Sequence, residues 1–206
     1  MNTHPPTLGV ILAGGLARRM GGGDKGLLAL GGRTILERVV AALASQTVAV
    51  ILNANGDPTR FAETGLPVVG DGVPGFAGPL AGVLAALDWA ATYRPDLAYV
   101  ASVAADTPFL PVDLVARLHA AREAAGVPLA CASSGGRTHP VNALWTVALR
   151  DDLRRSLTLE GERKIDRWTA RHGCASAEWP SAPVDPFFNV NEAADLAEAE
   201  RLAALL

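Results

Sequence analysis

Four short apolar runs, LGVILA (8–13), TVAVILN (47–53), AYVASVA (98–104) and PLACAS (128–133), alternate with alanine-rich stretches. In those stretches, TILERVVAALAS (34–45), LAGVLAALDWAA (80–91) and VDLVARLHAAREAA (112–125), apolar residues recur at i, i+3, i+4 and i+7. Strands apolar along their whole length must be covered on both faces, and helices between them supply the cover. The alternation therefore predicts a mainly parallel sheet between two helical layers. Thr34, with Glu37 three residues on, marks a capped helix start, and Pro111-Val112-Asp113 marks another. Beyond residue 137 the pattern changes. THPVNALWTV (138–147) reads as a further strand, LRDDLRRSLT and GERKIDRWTARHG as helices, EWPSAPVDP (178–186) as a proline-rich connector, and EAADLAEAERLAALL as an amphipathic terminal helix.

The chain has 206 residues, half of them hydrophobic, enough for a substantial core. One domain is expected over 1–206. The net charge of -3, with no Lys/Arg block, excludes a nucleic-acid footprint. No apolar run approaches the roughly 18 residues of a membrane span, so no membrane partner is expected. MNTHPPTLGV lacks a signal peptide's basic and apolar regions, so a cytoplasmic protein is expected. Cys131 and Cys174 lie far apart in sequence and form no CxxC, which predicts neither a disulfide framework nor a zinc site. The four histidines show no metal-ligand spacing.

In a parallel sheet, ligands bind at the carboxyl ends of the strands. Four polar or glycine-rich loops belong there: 12–26, 53–57, 71–82 and 106–108. The first holds Gly14 and Gly15 directly after the strand, then Arg18, Arg19 and Lys25. Glycines admit a ligand to the backbone N–H groups, and the cations offset the charge of a triphosphate. Gly21 to Gly26 formally match GxGxxG, but lie several residues past the strand, so a dinucleotide fingerprint is rejected. A Walker A loop is excluded, because Lys25 is followed by Gly26 and not by Ser or Thr.

LAGGLARRMGGGDKGLLALGG (12–32) resembles the LAGGxxxRMGxxDKxLLxLxG signature of the molybdenum cofactor guanylyltransferases. The likeness continues through GPLAGVLAAL (78–87), DTPFLP (106–111), HPVNALW (139–145) and FFNVNEAADLAEAE (187–200). One departure is Ala104-Ala105, where the family often has Pro-Cys before the aspartate. The resemblance implies a Rossmann-like three-layer α/β/α nucleotidyltransferase fold, with 8–110 binding nucleotide and 111–206 binding the acceptor. It implies transfer of GMP from GTP to the terminal phosphate of molybdopterin, or of its molybdenum-loaded form, with release of pyrophosphate. Other proteins of molybdenum cofactor biosynthesis are then the partners to look for.

By the same resemblance Leu12, Ala13, Gly14, Lys25, Asn53, Asp71 and Asp106 match nucleotide-site positions. Asp106 also matches the Mg²⁺ ligand, and Asn189 and Asn191 match acceptor-site positions. Gly15 joins the nucleotide set from its place in the loop. Lys25 and Arg19 are assigned to the triphosphate, with Lys25 stabilising the departing pyrophosphate, whereas Arg18 is read as a surface neighbour. Gly78, with Gly75 and Gly82, is expected to bring a helix start close to the base; tight packing equally explains Gly82. Asn53 suits base or ribose but is also turn material, and Asp71 suits the nucleoside or the metal site. His139 is either near the acceptor or structural, and the four tryptophans are expected in the core. Two rival readings are a sibling enzyme using CTP or a sugar-phosphate acceptor, and a nucleotide-binding regulator without catalysis.

Overall fold

The computed structural model describes residues 4–13, 24–73, 75 and 78–205. Gly14, Gly15, Arg18, Arg19 and Gly21–Gly23 lie outside the described residues. Among the described residues nine strands form: β1 Thr7–Leu12, β2 Ala29–Leu30, β3 Arg33–Thr34, β4 Ala49–Asn53, β5 Val68–Val69, β6 Tyr99–Ala104, β7 Leu129–Ser134, β8 Arg137–Thr146 and β9 Cys174–Trp179. The helices are α1 Ile35–Ala44, α2 Pro79–Tyr93, α3 Leu114–Ala125, α4 Arg150–Thr158, α5 Ile165–His172 and α6 Ala193–Ala203.

Seven strands make one sheet in the order β5-β4-β1-β6-β8-β7-β9, while β2 and β3 pair separately as a hairpin. Every strand of the large sheet runs the same way except β8, which is antiparallel to both β6 and β7. From β1 the chain moves through α1 to β4, then crosses back through α2 to β6 on the other side of β1. The strand order thus reverses beside β1, which opens a crevice at its carboxyl end.

Strand residues alternate between two cores, as the pleat requires. On one face Ile11, Val50, Leu52 and Val103 pack with Leu36, Val39 and Leu43 of α1 and Leu114, Val115 and Leu118 of α3. On the other, Leu8, Val10, Ile51 and Val100 meet Leu80, Val83, Leu84 and Leu87 of α2, Leu153 and Leu157 of α4 and Trp168 of α5. Thr34 and Glu37 cap α1 reciprocally, as expected. Trp145, Trp168 and Trp179 are buried, each indole N–H donating to a partner (Ser102, Asp152 and Asp113), whereas Trp89 is half-buried.

Some elements depart from the sequence expectation. β9 takes the first two residues of the supposed connector at 178–186; its CASAEW sequence has small residues where strands usually show β-branched ones. Residues 161–164 are not helical, because the Glu162 carboxylate accepts from the N–H groups of Arg163 and Lys164 ahead of α5. The third helix starts at Leu114, after Pro111-Val112-Asp113. Cys131 and Cys174 are free thiols, yet β7 and β9 place them diagonally across neighbouring strands. Among the described residues, no helix is long and apolar enough to cross a membrane.

Candidate active site

A cavity of about 640 Å³ opens at the carboxyl ends of β1, β4 and β6. All four loops singled out in the sequence contribute to its wall: Leu12, Ala13, Asp24 and Lys25; Asn53 and Asn55; Asp71 and Gly78; and Asp106. Leu36, Phe61 and Val141 add apolar surface, and Asn189 comes from the segment before α6. Of the residues expected to bind nucleotide, Leu12, Ala13, Lys25, Asn53, Asp71, Gly78 and Asp106 therefore share one cavity. Gly14, Gly15 and Arg19 lie outside the described residues.

Asp106 is set by the end of β6. The Ala104 amide donates to Asn142 Oδ1 (3.1 Å), and the Ala105 amide donates to the Leu12 carbonyl (3.2 Å). The Asp106 carbonyl accepts from the Val190 amide (2.9 Å), and the Thr107 hydroxyl donates to Asn189 Oδ1 (3.0 Å). DTP and FNVN, 80 residues apart in sequence, are thus bonded directly to each other. Lys25 completes the junction. Its Nζ donates to Asn191 Oδ1 at 2.7 Å and lies 3.9 Å from Asp106 Oδ2, with both charged side chains largely shielded from solvent. Burial pushes the Asp106 carboxyl above its ordinary range, while Lys25 and the residue's own amide pull it back.

The short 3-10 turn Lys25–Leu27 sits tightly on this strand end. A Cβ on Gly26 would lie 3.2 Å from the Ala105 carbonyl oxygen, so glycine lets the lysine-bearing backbone approach.

Across the cavity, Asn53 Nδ2 donates to Asp71 Oδ1 (3.0 Å) and to the Val69 carbonyl (3.0 Å). Asn55 Nδ2 donates to Asp71 Oδ2 (2.7 Å) and its Oδ1 accepts from the Asp71 amide (2.8 Å). Asp71 is therefore held by two asparagines instead of standing as a free turn residue. Gly82 lies directly against Asn53: a Cβ there would fall 2.2 Å from Oδ1. Its role is close packing that lets α2 approach β4. Gly78 and Pro79 bring the first turn of α2 to the cavity wall.

The structure adds residues that the sequence reading passed over. Asn142, buried in β8, and Thr107 act on the neighbours of Asp106. Asn55 was one of two asparagines in an ordinary-looking turn. Arg60 and Asp24, 36 positions apart, form an ion pair at the cavity rim. Asn55 had a signal in its place two residues from Asn53, and Asp24, Thr107 and Asn142 stand within the DK, DTPFLP and HPVNALW motifs, whereas Arg60 had none. His139 is not in the cavity wall. Its Nε2 is 2.8 Å from the Ser134 hydroxyl, which donates to Asp185, and its ring tilts against Phe187.

Lys25 facing Asp106, in a wall whose other charged groups are already engaged (Asp24 with Arg60, Asp71 with two asparagines), suits a phosphorylated ligand. Among the described residues no three His, Cys, Asp or Glu side chains cluster as a metal cage. The donor set nevertheless fits Mg²⁺, which keeps several waters and takes one or two carboxylates plus substrate phosphates.

The model of the MobA-like NTP transferase domain matches residues 9–175. The molybdenum cofactor guanylyltransferase of Nitrobacter hamburgensis is 62% identical over 201 residues, covering 98% of this chain and 96% of that protein. That of Bradyrhizobium sp. (strain ORS 278) is 61% identical, covering 96% and 93%. Molybdopterin-guanine dinucleotide biosynthesis protein A from Archaeoglobus fulgidus superposes with a TM-score of 0.74 at 22% identity, covering 97% of this chain and 100% of that one. A manganese complex of Rv0371C from Mycobacterium tuberculosis shares the fold, with a TM-score of 0.68 at 16% identity and coverage of 95% and 98%. With a strand-end cavity that brings the DK, DTP and FNVN segments together, and with this identity over nearly its whole length, the chain belongs to the MobA-like nucleotidyltransferases, in the family of the molybdenum cofactor guanylyltransferases.

Proposed function

We propose that the chain transfers GMP from GTP to the terminal phosphate of molybdopterin, with or without its molybdenum, and releases pyrophosphate. The observation that carries this reading is the position of Lys25, whose ammonium touches Asn191 and faces Asp106. One cation thereby joins the expected nucleotide side of the cavity to the expected acceptor side. Residues 8–110 serve GTP and residues 111–206 serve the acceptor, within one nucleotidyltransferase unit.

A terminal phosphate is largely ionised near neutral pH, so its oxygen attacks the α-phosphorus without a dedicated base. One P–O bond forms to the acceptor as the bond to the β-phosphate breaks, and its electron pair leaves on pyrophosphate. The obstacle is repulsion between two anions, which positioned charge and in-line geometry overcome. Lys25 and Arg19 are assigned to the triphosphate, and Lys25 meets charge growing on the leaving group. Asn53 and Asp71, which orient each other, face the nucleoside, with Leu12, Ala13 and Gly78 lining its approach; Gly14 and Gly15 are assigned to the nucleotide from sequence. Asn189 and Asn191 hold the acceptor. Asp106 would hold Mg²⁺, which neutralises phosphate charge when bound. Two free thiols suit the reducing cytoplasm, where we place the reaction.

The test is pyrophosphate release with GTP, CTP, ATP or UTP, and molybdopterin as acceptor. Turnover confined to GTP supports the reading. Faster turnover with CTP, or with a sugar phosphate as acceptor, overturns it.

A further inference from the structure

The lysine that carries the proposed chemistry follows Asp24, and Asp24 is gripped by a side chain from elsewhere. Arg60, on the 3-10 helix Pro58–Thr64, donates from Nη1 to Asp24 Oδ1 (2.9 Å) and Oδ2 (2.7 Å). The same guanidinium donates from Nε to the Asp57 carbonyl (3.0 Å) and from Nη2 to the Asn55 carbonyl (2.7 Å). It also lies over the Phe61 ring, 5.0 Å from the centroid. Both Arg60 and Asp24 face the cavity. Nε, Nη1 and Nη2 are all engaged, so Arg60 is held as a rigid bracket. The Asp24 side chain is only 10% exposed, so this pair is better shielded than an ordinary surface ion pair.

We infer that Arg60 is a positioning residue, which holds Asp24 against the segment after β4 so that the adjoining Lys25 stands over the cavity. The restraint is mechanical. The Asp24 carbonyl accepts from the Leu27 amide (3.0 Å) and the Lys25 carbonyl from the Leu28 amide (3.1 Å), so residues 24–28 move as a stiff turn. Arg60 fixes one end of that turn, and the contact of Gly26 with Ala105 fixes its middle. Asn55 is shared: its carbonyl receives Arg60 while its side chain orients Asp71. The bracket therefore ties the lysine to the wall assigned to the nucleoside. The inference rests on Lys25 acting on the triphosphate.

The experiment is a double-mutant cycle on nucleotide affinity, with Arg60→Ala, Lys25→Ala and the pair titrated calorimetrically with GTP and with GMP. Arg60→Ala should weaken GTP about tenfold, the scale of one lost charge-assisted contact, and GMP less than about twofold. In the Lys25→Ala background it should cost less than about twofold more. Arg60→Lys, which retains the charge without the fork, should recover only part of the loss, and serves where the alanine variant folds poorly. Equal weakening of GTP and GMP, a full additional loss without the lysine, or no loss at all would overturn the bracket. A Lys25→Ala protein that binds GTP as tightly as the parent would overturn the assignment of Lys25 itself, and the bracket with it.

Discussion

β1 and β6 run side by side, and their two ends treat buried charge in opposite ways. At their amino ends, Thr7 and Tyr99 meet His119 of α3. The Thr7 hydroxyl donates to the Pro5 carbonyl and so accepts from His119 Nε2–H (2.8 Å), which leaves Nδ1 buried without a hydrogen-bond partner among the described residues. Burial, then the nearby positive groups His4 and Arg122, lower the His119 pKa to about 4. At the carboxyl ends burial also disfavours charge, on Asp106, but there a cation of opposite sign stands 3.9 Å away. Desolvation is common to both ends; an opposite charge is not. The amino end is a scaffold in which charge is suppressed, and the carboxyl end keeps charge available to a ligand.

The sharpest way to break this contrast is Lys25→Ala. Losing the cation that stands beside Asp106 should cut pyrophosphate release by about 10²–10³-fold with little change in Tm. Near-normal turnover would remove the distinction between the two ends. At the scaffold end, pH is the probe. His119 titrates near 6.5 when unfolded and near 4 when folded, so its contribution is complete above pH 6.5 and is lost as pH falls towards 4. Stability should drop by as much as about 3 kcal/mol across that window, with His139, lowered mainly by burial, adding in the same direction. Urea titrations at several pH values would show it, and His119→Gln should flatten the fall.

Gly82→Ala tests the wall between the two ends. Its new methyl would collide with Asn53 Oδ1, so about 1–3 kcal/mol of stability and much of the affinity for GTP should be lost together. Unchanged Tm and affinity would show that Asn53 can move freely. The smallest effect belongs to Thr34→Ala, which removes the α1 cap. About 1 kcal/mol, a Tm fall of roughly 2–4 °C, should come with unaltered turnover.

The helices and inner strands were legible in sequence because burial on both faces forces continuous apolar runs, and because Thr34 and Glu37 spell out a cap. Strand β9 was not, since alanine and serine pack in a strand without announcing it; nor was β5, only two residues long. Lys25, Asp71 and Asp106 were recognisable as the kinds of group that bind phosphates, metals or bases, Asn189 came from the family resemblance as an acceptor residue, and all four meet in one cavity. Their supports were hidden. Arg60 acts on Asp24 and Asn142 on Ala104 through contacts between positions about 40 residues apart, and such pairing leaves no local pattern.

The central claim is that Lys25 and Asp106 converge on one phosphorylated ligand. A crystal structure with Mg²⁺ and a non-hydrolysable GTP analogue tests it most directly. The account predicts triphosphate oxygens within hydrogen-bond reach of Lys25 Nζ and the metal on the Asp106 carboxylate. A nucleotide bound away from the strand-end cavity, or a metal held without Asp106, would contradict it.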